Sequence, residues 1–157
     1  MYNFVNTPLG WFHLFAALLA MLSGLFVLFK PKGTKLHKNA GYFYVTAIIA
    51  VCGSALLIYN LTGYFGIFHL LALVALATLV AGMIPLFLKN KSYRVFHLWF
   101  MYYSVIGLYA AFASELSVRI PERPFYTMVG IATAMIFVAG SFFIVKKEKV
   151  WSRYFAN

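Results

Sequence analysis

Five apolar runs, at residues 9–29, 40–60, 65–88, 95–116 and 125–145, constrain this chain more than anything else in it. Each is about 20 residues or longer, enough at roughly 1.5 Å per residue to cross ~30 Å of hydrocarbon. Inside lipid a backbone N–H or C=O has no water to bond, so a spanning segment is a helix or a strand of a closed barrel. None of the runs shows the two-residue alternation of a barrel strand. Apolar residues make up 64% of the chain and charged residues only 10%, with a mean hydropathy of +0.86. A soluble domain of 157 residues could not hide that much apolar surface. The expected fold is an all-α integral membrane protein, one transmembrane domain over 1–157 with five transmembrane helices.

The charges set the expected topology. Lys30, Lys32, Lys35, Lys38, Lys89, Lys91, Arg94, Lys146, Lys147, Lys149 and Arg153 fall on one side if the runs alternate. Only Arg119 and Arg123, in "SVRIPERP", fall on the other. Positive residues accumulate on the cytoplasmic side, so the N-terminus is expected outside and the C-terminus in the cytoplasm. A net charge of +10 distributed at the ends of apolar runs is a topology signal, which argues against a nucleic-acid partner. The opening "MYNFVNTPLGWFHLF" has no basic n-region and reads as a retained first helix. Pro85 falls near the end of the third run, where it would kink or loosen the helix.

The four histidines, His13, His37, His69 and His97, each lie near the N-terminal end of a different run. Odd-numbered runs enter from outside and even-numbered ones from the cytoplasm. His13 and His69 are therefore expected at an outer level, and His37 and His97 at an inner one, in a four-helix His-bearing bundle. Ionisable groups in membrane spans are costly and usually functional, and bundles build cofactor sites from facing helices. Imidazole is a common metal ligand and an axial ligand of haem iron. Small residues share the histidine faces: Ala17, Ala20 and Gly24 follow His13, while Gly41, Tyr44 and Ile48 continue from His37. Gly66 and Ala72 flank His69, and Met101 and Ser104 follow His97. Arg94 inside and Arg119 outside, with Lys35 and Lys38, are placed to meet haem propionates. Small residues at these spacings are equally the ordinary means of close helix packing in lipid.

Other chemistries fit less well. Zinc prefers a tetrahedral set at close range, and no carboxylate or thiolate completes either histidine pair. The chain has no Asp, and its acids are Glu115, Glu122 and Glu148, which leaves a hydrolase unsupported. Glu115, with Arg119 at i+4, reads as an ion pair at a helix end or as a proton-handling carboxylate beside a quinone pocket. Cys52, the one cysteine, sits in an apolar run and reads as a packing residue.

"GWFHL", "KGTKLHKNAGYFY", "YRVFHLWFMYY" and "ELSVRIP" together resemble an uncharacterised bacterial family of small predicted multi-helix membrane proteins. Its pattern runs K-G-T-x-x-H-R-x-x-G-x-x-Y and then H-R-x-W-M. Lys38 stands in place of the usual Arg, and "HLWFM" lacks the basic residue after the second histidine. The resemblance implies a multi-pass protein of the bacterial cytoplasmic membrane and brings no activity with it. In architecture alone, two histidine pairs on four consecutive helices are similar to the two-haem arrangement of the cytochrome b561 family.

The leading expectation is a membrane cytochrome with haem b held by His13 with His69 and by His37 with His97. It would move electrons across the bilayer, with a quinone or another redox partner. The competing expectation is a non-enzymatic transporter or accessory protein whose histidines pack, bind another metal or relay protons.

Overall fold

The computed structural model describes residues 7–59, 63–88, 93–117 and 124–152. These form five helices, α1 (Pro8–Phe29), α2 (Lys35–Leu57), α3 (Ile67–Leu88), α4 (Tyr93–Ser117) and α5 (Phe125–Ser152). All five are long and apolar enough to cross a membrane. Large apolar side chains stay outside: Leu22, Phe29, Leu57 and Phe87 are 67%, 69%, 67% and 77% exposed. That inversion is costly in water and neutral in lipid, so the outer surface suits a bilayer.

Two boundaries depart from the apolar runs, for the same reason. α2 begins at Lys35, five residues before its run, because Thr34 caps it. α5 continues to Ser152, past the end of its run. Lys and Glu are good helix formers, and neither Gly nor Pro interrupts either extension. Apolarity marks where a helix meets lipid, whereas capping and breaking residues mark where it ends.

The chain divides into two compact units, Met1–Leu79 and Val80–Asn157, with the division inside α3. In the first unit α1 packs along α2. The buried face of α1 is Gly10, His13, Ala16, Ala17, Ala20 and Gly24. Lipid is as apolar as leucine, so helices associate in it through close packing, and small residues permit the approach. On α2 the buried face is Tyr44, Ala47, Ile48, Val51, Cys52 and Ser54.

Three consecutive residues build the α1–α2 connection. Lys32 Nζ donates to the carbonyls of Val27 and Leu28 at 3.0 and 2.9 Å, satisfying oxygens that the last turn of α1 leaves open. Gly33 takes φ +81°, a conformation that side chains disfavour. Thr34 Oγ1 then accepts the His37 N–H at 3.2 Å as the N-cap of α2. Burial pushes the Lys32 ammonium down to about 8. Between about pH 8 and the ordinary value of 10.5, the unfolded chain holds this proton and the folded chain does not. Stability conferred by the site therefore rises with pH across that window. Lys32→Met is expected to lower unfolding stability by about 1 kcal/mol at pH 7 through the lost cap bonds. The gap from wild type should widen above pH 8 in denaturant titrations, and a gap that narrows would refute the assignment.

In the second unit α4 packs along α5, joined by polar contacts. Ser114 Oγ lies 2.9 Å from Thr133 Oγ1, and the Tyr102 hydroxyl donates to the Gly140 carbonyl at 2.7 Å. Tyr103 Oη and Ser141 Oγ are 3.3 Å apart. Hydroxyls without water gain most by pairing across helices, which also fixes the register of α4 on α5.

Candidate functional site

His13 is buried on α1, and its Nδ1 lies 2.9 Å from Ser54 Oγ on α2. The Ser54 hydroxyl has one proton, which goes back along its own helix to the Ala50 and Val51 carbonyls at 2.7 and 2.9 Å. When the carbonyls hold that proton the serine accepts from His13 and Nδ1 carries the ring proton; the roles at this 2.9 Å contact follow the histidine tautomer. Nε2 is left with the lone pair, which is the form in which a histidine ligates a metal.

His97, on α4, reaches the same form through a different partner. Its Nδ1 lies 2.7 Å from the Gly82 carbonyl oxygen of α3. A carbonyl only accepts, so again Nδ1 is protonated and Nε2 bears the lone pair. A Cβ at residue 82 would lie 2.8 Å from Met101 Sδ and 3.2 Å from Phe100 Cβ, so glycine lets α4 side chains approach. Pro85, one turn on, lacks the N–H that would bond Ala81 and loosens this part of α3.

His69 differs. It is 4% exposed, and its Nδ1 accepts the Gly66 N–H at 3.1 Å. The Gly66 carbonyl in turn accepts the N–H groups of His69 and Leu70 at 3.1 and 3.3 Å. This reciprocal arrangement works as a capping box does, with histidine in the place of glutamate. A backbone N–H only donates, so Nδ1 is unprotonated and the proton sits on Nε2. That nitrogen is buried and has no hydrogen-bond partner among the described residues. In this tautomer His69 offers Nε2 as a donor and not as a ligand.

His37 occupies the third position of α2 and is half-buried. Within the first unit, His13 and His69 lie at the end where α2 finishes, the former against Ser54 and the latter against Tyr59. His37 lies at the opposite end of α2. His97 belongs to the second unit. Among the described residues, no group of three or more His, Cys, Asp or Glu is placed to hold a metal ion.

The remaining predicted residues divide similarly. Tyr44 is buried on α2. Gly41 is half-buried, and a Cβ added there meets nothing within 4 Å, so close packing does not require this glycine. Arg94 is exposed, with its Nε donating to Tyr93 Oη at 3.1 Å. Arg119, and with it the partner expected for Glu115, lies outside the described residues. Ser54 and Gly82, which meet histidine ring nitrogens, escaped sequence reasoning because their partners are spatial, and Gly66 was noted as a small neighbour of His69 but not as its bonding partner. Only Gly66, three residues before His69, offered a local capping signal.

The family described as "Predicted membrane protein (DUF2306)" matches residues 10–146 of the chain. No curated protein and no solved structure matches it.

Proposed function

The chain belongs to that family of predicted membrane proteins, and on this premise we propose that it binds b-type haem through helix histidines and moves electrons across the bilayer. The observation that carries the reading is the pair of orienting bonds, His13 to Ser54 and His97 to Gly82. Ligating histidines typically donate their second ring N–H to a carbonyl, carboxylate or other fixed acceptor, and these two do so from helices of different units. Haem would supply one-electron chemistry. The chain would orient His13 and His97, keep water from them with apolar helices, and offer Arg94, Lys35 and Lys38 to propionates. His37 would be a further ligand, offered from the first turn of α2. His69, the expected partner of His13, would ligate only by giving up its bond to Gly66. The reading includes a His-bearing bundle of α1–α4, an outside N-terminus and a cytoplasmic C-terminus in a bacterial plasma membrane, supported by the charge asymmetry.

Protein purified from cells supplied with haem precursors is expected to be red, with a Soret band and sharp bands on reduction. His13→Ala and His97→Ala should each lower haem content. A folded, colourless preparation would overturn the proposal.

One observation favours a second reading, a transporter or accessory protein with structural histidines. His69 caps α3, and the backbone of His37 is part of the cap of α2. On this reading His13→Ala and His97→Ala alter unfolding stability and nothing spectroscopic.

A further inference from the structure

His69 is the buried polar side chain that neither helix packing nor haem ligation accounts for fully. Its Nδ1 is committed to Gly66, which places a proton on Nε2, and that N–H is enclosed with no acceptor among the described residues. A donor left unpaired is costly, more so at a level where lipid replaces water. Nε2 bearing hydrogen has no lone pair for a metal, so its complement is an acceptor atom.

The surroundings narrow that acceptor. The Tyr59 and Phe65 rings pack on the imidazole with centroids at 4.5 and 4.9 Å. Both rings remain about half open, at 44% and 53% exposure, so each presents a face to whatever lies alongside. An anion would bring an unpaired charge into an apolar setting, which argues for a neutral oxygen. A molecule that arrives through the bilayer, carries carbonyl oxygen and is flat enough to stack on aromatic rings satisfies all three conditions. We propose that, once the groups that enclose it move aside, the His69 Nε2–H donates to a carbonyl oxygen of a bilayer-soluble quinone whose ring lies against Tyr59 and Phe65. Phospholipid esters share the carbonyl and lack the ring. The proposal stands apart from haem ligation by His13 and His97.

The test uses full-length, metal-free protein with ¹⁵N-labelled histidine in nanodiscs of ether-linked phosphatidylcholine, which has no ester carbonyl. Decylubiquinone is titrated in while the ring nitrogens are followed by NMR. The expected result is an Nε2–H tautomer whose proton signal moves downfield and saturates. His69→Phe, which keeps a ring and removes the donor, should weaken binding about tenfold. An unmoved signal would overturn the proposal, as would an Nδ1–H tautomer. So would a downfield signal in ester-linked lipid that quinone leaves unchanged, since that identifies the lipid carbonyl as partner. If the Phe variant fails to fold, the wild-type titration decides alone. Because the sample contains no haem, its outcome is separate from that of the haem measurement.

Discussion

Ser54→Ala is expected to lower haem retention about 10–100-fold, the usual cost of removing a partner that orients a ligating histidine. In the ligating tautomer the hydroxyl accepts the His13 Nδ1–H at 2.9 Å while its own proton is held by the Ala50 and Val51 carbonyls. Alanine removes the oxygen that accepts from His13 Nδ1 in the ligating tautomer, so the proton is no longer favoured on that nitrogen. Magnitude separates this role from simple helix bridging. A hydrogen bond between membrane helices averages about 0.6 kcal/mol, roughly a threefold change in an equilibrium constant. The variant should therefore unfold almost like wild type while losing most of its Soret absorbance at limiting haem. Ser54→Thr, which keeps a hydroxyl able to bond back to its helix, should recover much of the absorbance. Full haem content in Ser54→Ala, with only a small loss of stability, would make the contact a bridge between α1 and α2 and no more.

The five helices were legible because lipid imposes a length and a composition on anything that crosses it. α2 and α5 outrun their apolar stretches because apolarity marks the part of a helix that meets lipid and not where the helix ends. Thr34 and Gly33 were visible in the sequence, and they show that much of "KGTKLH" is a device for turning one helix into the next. Lys32 closes α1, Gly33 supplies the turn and Thr34 opens α2, so the most distinctive stretch of the chain has a structural account for three of its six residues. The histidines were also picked out by sequence. Their protonation was beyond reach. His13 and His69 look equivalent when read by depth, yet Nδ1 of one meets the hydroxyl of a serine 41 positions away and the other accepts through Nδ1 from a glycine three positions away. The first partner depends on how α1 meets α2, which sequence periodicity does not register. The second is local and could have been read as a capping arrangement had histidine been admitted in the place of glutamate.

Gly140→Leu is expected to disrupt the α4–α5 pair, because no space exists for any side chain there. A Cβ at this position would lie 2.9 Å from both Cδ1 and Cγ2 of Ile106, and 3.0 Å from Cγ1. Ile106 is branched at Cβ, so the atoms in the way are close to its backbone and cannot swing aside as a longer, unbranched chain would. The strain must move the helices themselves. Overpacking of this kind costs about 1–3 kcal/mol. The same glycine carbonyl accepts the buried Tyr102 hydroxyl at 2.7 Å, and displacing it adds about 1–3 kcal/mol for a buried donor deprived of its acceptor. Denaturant titration in mixed micelles should show the combined loss, with Tyr102→Phe accounting for only the hydrogen-bond share. The steric share has its own control, Gly140→Ala in an Ile106→Ala background. Shortening Ile106 removes all three offending atoms, so alanine at 140 should there cost several-fold less than it does against isoleucine. Equal costs in the two backgrounds would mean that α4 and α5 do not approach at Gly140, and the hydrogen bond from Tyr102 would then need another explanation for its length.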